Sequence, residues 1–186
     1  MTLPFFTIGH SNRRIEEFID LLRQAQIELL VDIRKIPMSR ANPQFNNDRL
    51  PASLAAFQIS YDYIAALGGL RGRNRALTRD VNGLWTNTSF HNYADYALSG
   101  GFHEGLEQLL AEGEKQRSAI MCSEAVWWRC HRRIVTDYLI ANGKTVFHIM
   151  GKGRLEPARL TAGAVVESDA AVIYPAGPKD PASEQS

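Results

Sequence analysis

Five short, mostly apolar runs recur along the chain, at Phe5–Gly9, Leu29–Ile33, Ile59–Ile64, Ser118–Met121 and Thr145–Met150. Each is long enough for a strand and too short for a core-packing helix. Between them lie segments of helical period. Ile15, Phe18, Ile19 and Leu22 share one face, with Glu16 and Glu17 in the first turn, where the macrodipole favours acids. Asp48 is a candidate N-cap for a helix reaching about Phe57, with Pro51 near its start. Ser89 is a candidate cap for a helix through Leu98, broken by Gly100-Gly101, and a further helix is predicted over His103–Gln116. The last helix is predicted over Cys130–Ala141 and ends at Asn142-Gly143. Such alternation predicts a single-domain three-layer α/β/α fold with a mostly parallel sheet of about five strands, over residues 1–175. Pro178, Pro181 and a polar end predict a disordered tail over residues 176–186.

A chain of 186 residues, 45% hydrophobic and 22% charged, can bury a core without metal or disulfide staples. A net charge of +1 supplies no global field towards nucleic acid or an anionic membrane. No run approaches the ~20 apolar residues of a membrane helix. The start, MTLPFFTIGH, lacks the basic region of a secretory leader. Cys122 and Cys130 are therefore expected to be reduced thiols of a cytoplasmic protein. The expected partner is a small anionic molecule. Nucleic acid is a less favoured partner, and no membrane and no cofactor are expected.

In open α/β sheets, ligands bind beyond the carboxyl ends of the strands. Four clusters fall there. Gly9-His10-Ser11-Asn12 places three polar side chains ahead of a helix, a natural anion site, although Ser11 or Asn12 could equally serve as a cap. Asp32 and Arg34, two apart on a strand, project to one side, with Ser39 and Arg40 following; a structural ion pair competes with a functional role. Arg71, Arg73, Arg75 and Arg79 lie in a glycine-containing loop that could hold phosphate or simply be solvated. The fourth cluster is the richest. Cys122-Ser-Glu124 ends a strand and Cys130-His131-Arg132 opens the next helix. Cys122, at a strand end facing a helix N-terminus beside arginines, is expected to have a lowered pKa and to act as nucleophile or redox thiol, with Cys130 as its resolving partner. Glu124 and His131 are candidate acid–base groups. Trp127 and Trp128 between the thiols read as lid or core packing.

These clusters resemble the domain-of-unknown-function 488 family. The matching residues are Thr7-Ile-Gly-His-Ser11, Val31-Asp-Ile-Arg34 with Pro37, Ser39 and Arg40, Asn42-Pro-Gln-Phe-Asn46, Leu67-Gly-Gly69, and Cys122-Ser-Glu124 with Cys130-His-Arg132. The resemblance covers about Thr7–Ile149 and implies the fold and the motif positions, but no reaction. Trp127-Trp128 departs from the family's usual polar or proline-containing insert. A fainter likeness is to rhodanese-type domains, which share an Asp-x-Arg and a strand–Cys loop–helix. Their loop closes with Arg six residues after Cys, whereas Arg129 here comes seven after.

Three readings follow. The first is a small thiol-dependent transferase or hydrolase, with Cys122, Glu124, Cys130 and His131 catalytic. His10, Ser11, Asn12, Asp32, Arg34, Ser39, Arg40 and Arg132 would then hold an anionic substrate. The second is a non-catalytic ligand- or nucleic-acid-binding domain. The third is a metal-binding protein through Cys122, Cys130 and histidines. It is disfavoured here because adjacent residues of a helix point about 100° apart, which would separate Cys130 from His131.

Overall fold

A computed structural model of the chain describes residues 2–177. Its strands are β1 (Phe5–Gly9), β2 (Leu29–Asp32), β3 (Ser60–Tyr63), β4 (Ser118–Cys122), β5 (Val146–Gly151) and β6 (Arg154–Pro157), joined in one sheet in the order β3-β2-β4-β1-β5-β6. The first five run parallel and β6 returns antiparallel on β5. The helices are α1 (Ile15–Gln24), α2 (Leu50–Ala55), α3 (Thr88–Ala97), α4 (Gly100–Lys115) and α5 (Arg132–Ala141).

The sheet is covered on both faces because successive strand side chains point opposite ways. Phe6 and Ile8 of β1, Leu30 of β2 and Met121 of β4 pack with Phe18 and Leu22 of α1 and with Leu50 and Leu54 of α2. Phe5, Leu29, Val31 and Ile120 pack on the other side with Tyr93 of α3, Phe102 of α4, and Ile134 and Leu139 of α5. The chain therefore leaves β1 for one face and leaves the adjacent β4 for the other. Their carboxyl ends diverge, and a crevice opens between them, as at the switch point of open α/β sheets.

Several local expectations are corrected. The last helix begins at Arg132, not Cys130: Cys130 is extended, with φ −125° and ψ 147°. Asp48 caps nothing, since α2 starts after Arg49 without a side-chain cap. Asn87, rather than Ser89, caps α3 by accepting from the Ser89 and Phe90 N–H groups. Gly100 and Gly101 do not break a helix but form the first turn of α4, capped by Ser99. N–H groups in a first turn have no intrahelical acceptor anyway, so glycine costs less there than mid-helix.

Strand β6 and the two-stranded ribbon β7 (Val165–Val166) and β8 (Val172–Ile173) are additions to the expected five strands. Beyond them, Tyr174 donates its hydroxyl to Asp137 of α5 at 2.8 Å, and its N–H bonds to Asn82 at 3.0 Å. Of the expected tail, Ala176 donates to the Asp80 carbonyl, and residues 178–186 lie outside the described residues. No helix among the described residues is long and apolar enough to cross a membrane.

Candidate functional site

The crevice is closed at its base by backbone bonds between the loops that leave β1, β2 and β4. Gly9 is the register partner of Cys122. One step on, His10 N–H donates to the Cys122 carbonyl at 2.9 Å, Ser11 N–H to the Ser123 carbonyl at 3.0 Å, and Ile33 N–H to the Met121 carbonyl at 3.0 Å. The Glu124 carbonyl lies where a Cβ on residue 9 would sit, so only glycine permits this approach. Above lies a cavity of about 640 Å³. Its lining includes His10, Ser11, Asn12, Arg34, Ser39, Cys122, Glu124, Cys130 and His131, nine of the twelve side chains expected at the site.

The other three stand elsewhere. Asp32 is sealed beneath the cavity. It accepts Arg34 Nε at 2.9 Å, Arg34 Nη2 at 2.6 Å and the Tyr61 hydroxyl at 2.8 Å. Arg34 also donates to the Phe45 carbonyl at 2.6 Å. Its Nη1 lies 3.3 Å from His10 Nε2. This is a buried ion pair that presents one edge of its guanidinium to the cavity. Arg132 is likewise buried, and Arg40 is exposed away from the lining.

His10 Nδ1 lies 2.7 Å from the Ser11 carbonyl, which can only accept, so the ring proton belongs on Nδ1 and Nε2 accepts from Arg34. The ring stacks on Phe45 at 4.3 Å. Burial pushes its pKa down to about 4, with the Ser11 bond opposing and the Arg34 charge reinforcing. His10 is therefore neutral near pH 7. Ser11, with φ 51°, and Asn12 do not cap α1, whose N-cap is Arg14. Ser39 takes part in a local turn: its N–H donates to Asn46 Oδ1 at 2.6 Å and its hydroxyl accepts from Asn42 N–H at 3.1 Å.

The thiols meet at His131. Its Nε2 lies 2.9 Å from the Ile33 carbonyl, so that nitrogen carries the proton. Nδ1 then faces Cys130 Sγ at 3.7 Å and Cys122 Sγ at 3.9 Å. The extended backbone at Cys130 turns its sulfur towards the same point as the His131 ring, so the divergence expected on a helix does not occur. Cys130 Sγ also accepts Arg132 N–H at 3.4 Å and Arg132 Nε at 3.3 Å, while Arg132 Nη2 is fixed to the Glu124 carbonyl at 2.6 Å. Burial alone would raise the Cys130 pKa. The Cys122 S–H bond, the Arg132 charge and the Arg132 donors outweigh it and bring the thiol down to about 6. Cys122, donating to that sulfur and buried, is pushed up to about 12. The lowering expected of Cys122 thus falls on Cys130.

Glu124 reaches the cavity wall with its side chain, but Oε1 accepts only the neighbouring Ala125 N–H, at 3.1 Å. Trp127 stacks on His148 at 4.3 Å as packing, and Trp128 is exposed. Arg71 is a structural clamp, bonded to the Gly68 and Ala65 carbonyls and lying 3.8 Å over the Tyr96 ring. Arg73 and Arg79 line a separate cavity of about 400 Å³.

Three residues of the site carry no functional signature of their own in the sequence: Tyr61, which completes the Asp32 cage, Phe45 under His10, and Tyr93, whose ring lies 5.0 Å from His131. Phe45 lies in the Asn42–Asn46 motif, a usable signal; Tyr61 and Tyr93 read as ordinary strand and helix aromatics. Gly69 lies against the His131 ring, where a Cβ would stand 3.0 Å from Nδ1.

Compared with protein families, the chain matches Domain of unknown function DUF488 over residues 14–139, most of its length. The chain belongs to the DUF488 family. The DUF488 match spans α1 through most of α5, including both cysteines, His131 and the Asp32–Arg34 pair. It starts after His10 and Ser11, which join the site through β1. No curated protein and no solved structure matches the chain, and the rhodanese likeness finds no support there.

Proposed function

We propose that this DUF488 domain is a thiol-dependent transferase or hydrolase acting on a small anionic molecule, with Cys130 as nucleophile. One observation carries the reading. The Cys130 sulfur is held between His131 Nδ1 at 3.7 Å and two Arg132 N–H donors, at the wall of a cavity large enough for a metabolite. N–H donors and a guanidinium stabilise negative charge on sulfur, and the thiolate is the reactive form.

Cys130 reacts as the thiolate, and its sulfur bonds to an electrophilic atom of the substrate. The bond from that atom to its leaving group breaks, and the leaving group departs with the electron pair and takes a proton from solvent. Water or an acceptor hydroxyl or amine then attacks the same atom, losing its proton to His131 and releasing the sulfur as thiolate. Cys122, whose pKa is pushed up to about 12, stays a thiol beside it. The roles first expected of the two cysteines are exchanged. Ser11, Asn12, Lys35 and Arg129 line the same cavity and, with the guanidinium edge of Arg34, offer donors to an anionic group.

Incubation with panels of acyl, phosphoryl and sulfur-bearing anions, followed by intact mass spectrometry, tests this reading. The expected result is an adduct on Cys130 that is absent from Cys130→Ser and slow to form in His131→Gln. An adduct confined to Cys122, or binding of anions with no adduct or turnover, supports the non-catalytic binding role instead.

A further inference from the structure

We infer that Cys122, Cys130 and His131 also form a binding site for one soft divalent d¹⁰ ion of the zinc class, and that occupancy takes both thiols out of reaction. The inference uses the side chains of the proposed active site but rests only on their geometry.

The two sulfurs and a His131 ring nitrogen lie within 4.8 Å of one another. Tetrahedral zinc, with Zn–S near 2.3 Å and Zn–N near 2.0–2.1 Å, sets S···N separations of about 3.6 Å and an S···S separation of about 3.8 Å. The S···N distances here are 3.7 and 3.9 Å. The two S···N pairs therefore need to close by only a few tenths of an ångström, and the S···S pair, within 4.8 Å, by no more than about an ångström.

The chemistry of the donors agrees. Two thiolates and an imidazole are a soft set suited to zinc rather than to magnesium or calcium. A histidine that ligates through one nitrogen usually donates its other N–H to a carbonyl or carboxylate, which fixes the ring. His131 does this towards Ile33 at 2.9 Å. The Arg132 donors at 3.3 and 3.4 Å give the Cys130 sulfur an outer shell. Two thiolates neutralise a divalent ion, so the Arg132 guanidinium faces no net positive charge. All three ligands line the cavity, and three protein ligands leave a fourth position for water or a solute from that side.

Zinc titration of chelator-stripped protein, with a chromophoric chelator as competitor, tests the site. One equivalent should bind, and Cys122→Ser, Cys130→Ser and His131→Gln should each weaken binding at least tenfold. Cobalt(II) loading of the unmutated protein guards against a variant that merely unfolds. It should give thiolate charge-transfer bands and the intense visible bands of a four-coordinate ion, both abolished by prior alkylation. Zinc should slow alkylation of both thiols by more than tenfold. No stoichiometric uptake, or uptake unaffected by alkylation, overturns the inference. If the stripped protein alkylates fast but takes up no zinc, the thiol chemistry stands and the metal site falls. If it takes up zinc but its thiols are inert when stripped, the reverse holds.

Discussion

The Nε2–H of His131 donates to the Ile33 carbonyl at 2.9 Å, which turns Nδ1 towards two sulfurs. The carbonyl belongs to the loop leaving β2 and the ring to the turn entering α5, so the tautomer depends on the fold. Gly69 guards the ring's other side. Gly69→Ala would place a methyl group 3.0 Å from Nδ1, and the ring must tilt. The expected outcome is a folded protein whose Cys130 alkylation slows several-fold. Circular dichroism and labelling kinetics check this, and unchanged kinetics would remove the positioning role of His131.

Gly9→Ala meets backbone rather than a flexible side chain, because its Cβ overlaps the Glu124 carbonyl. The β1 and β4 loops would have to part. The expected loss is about 1–3 kcal/mol, as in other overpacked sites, read as a lowered denaturant midpoint. A variant as stable as the parent would show that this close approach is not rigid.

Asp32→Ala strands the Arg34 guanidinium, which is buried to 4% exposure. Breaking one side of a buried pair costs about 3–5 kcal/mol. Replacing both partners, as Asp32→Leu with Arg34→Met, should cost clearly less, because no charge is left alone. A thermal-melt cycle over the two single variants and the double variant checks the order. Equal destabilisation by the single and double variants would argue that Arg34 finds another partner.

His10 and His148 are both buried and both pushed by burial down to about 4 from an ordinary 6.5. Between those values the unfolded chain binds more protons than the folded one. Stability therefore rises with pH through this window, is complete above about 6.5, and is lost as pH falls towards 4. His148→Gln should flatten part of the slope, since its partners are Thr7 at 2.8 Å and the Trp127 face rather than the cavity. Denaturant midpoints from pH 4.5 to 7.5 check the sign. A midpoint that climbs as pH falls across the window would contradict it.

Much of this arrangement is legible in the residues alone. Strands β1, β2 and β4 appear as apolar runs because both faces of the central sheet are buried there, whereas β3, at the edge and half-exposed, shows through its flanking Ile59 and Ile64. Strand β6 escapes because it is an edge strand with mostly exposed side chains, and β7 and β8 are two residues each. The convergence of His10, Arg34 and Cys122 follows from strand ends. The convergence of Cys130 with His131 does not, because it depends on helix α5 starting at Arg132. Which thiol carries the charge also escapes, since the Arg132 side chain folds back onto Cys130 rather than onto Cys122. In the sequence a structural Asp32–Arg34 pair competes with a substrate contact; in the fold Asp32 is buried between Arg34 and Tyr61, and Arg132 is buried against the Cys130 sulfur and the Glu124 carbonyl.

Differential alkylation of the chelator-stripped native protein, resolved by mass spectrometry at pH 7, tests the central claim most directly. The account predicts that Cys130 labels faster than free cysteine and well ahead of Cys122, and that His131→Gln slows it. If neither thiol labels faster than free cysteine, or if Cys122 leads, the assignment of Cys130 as the reacting group is contradicted.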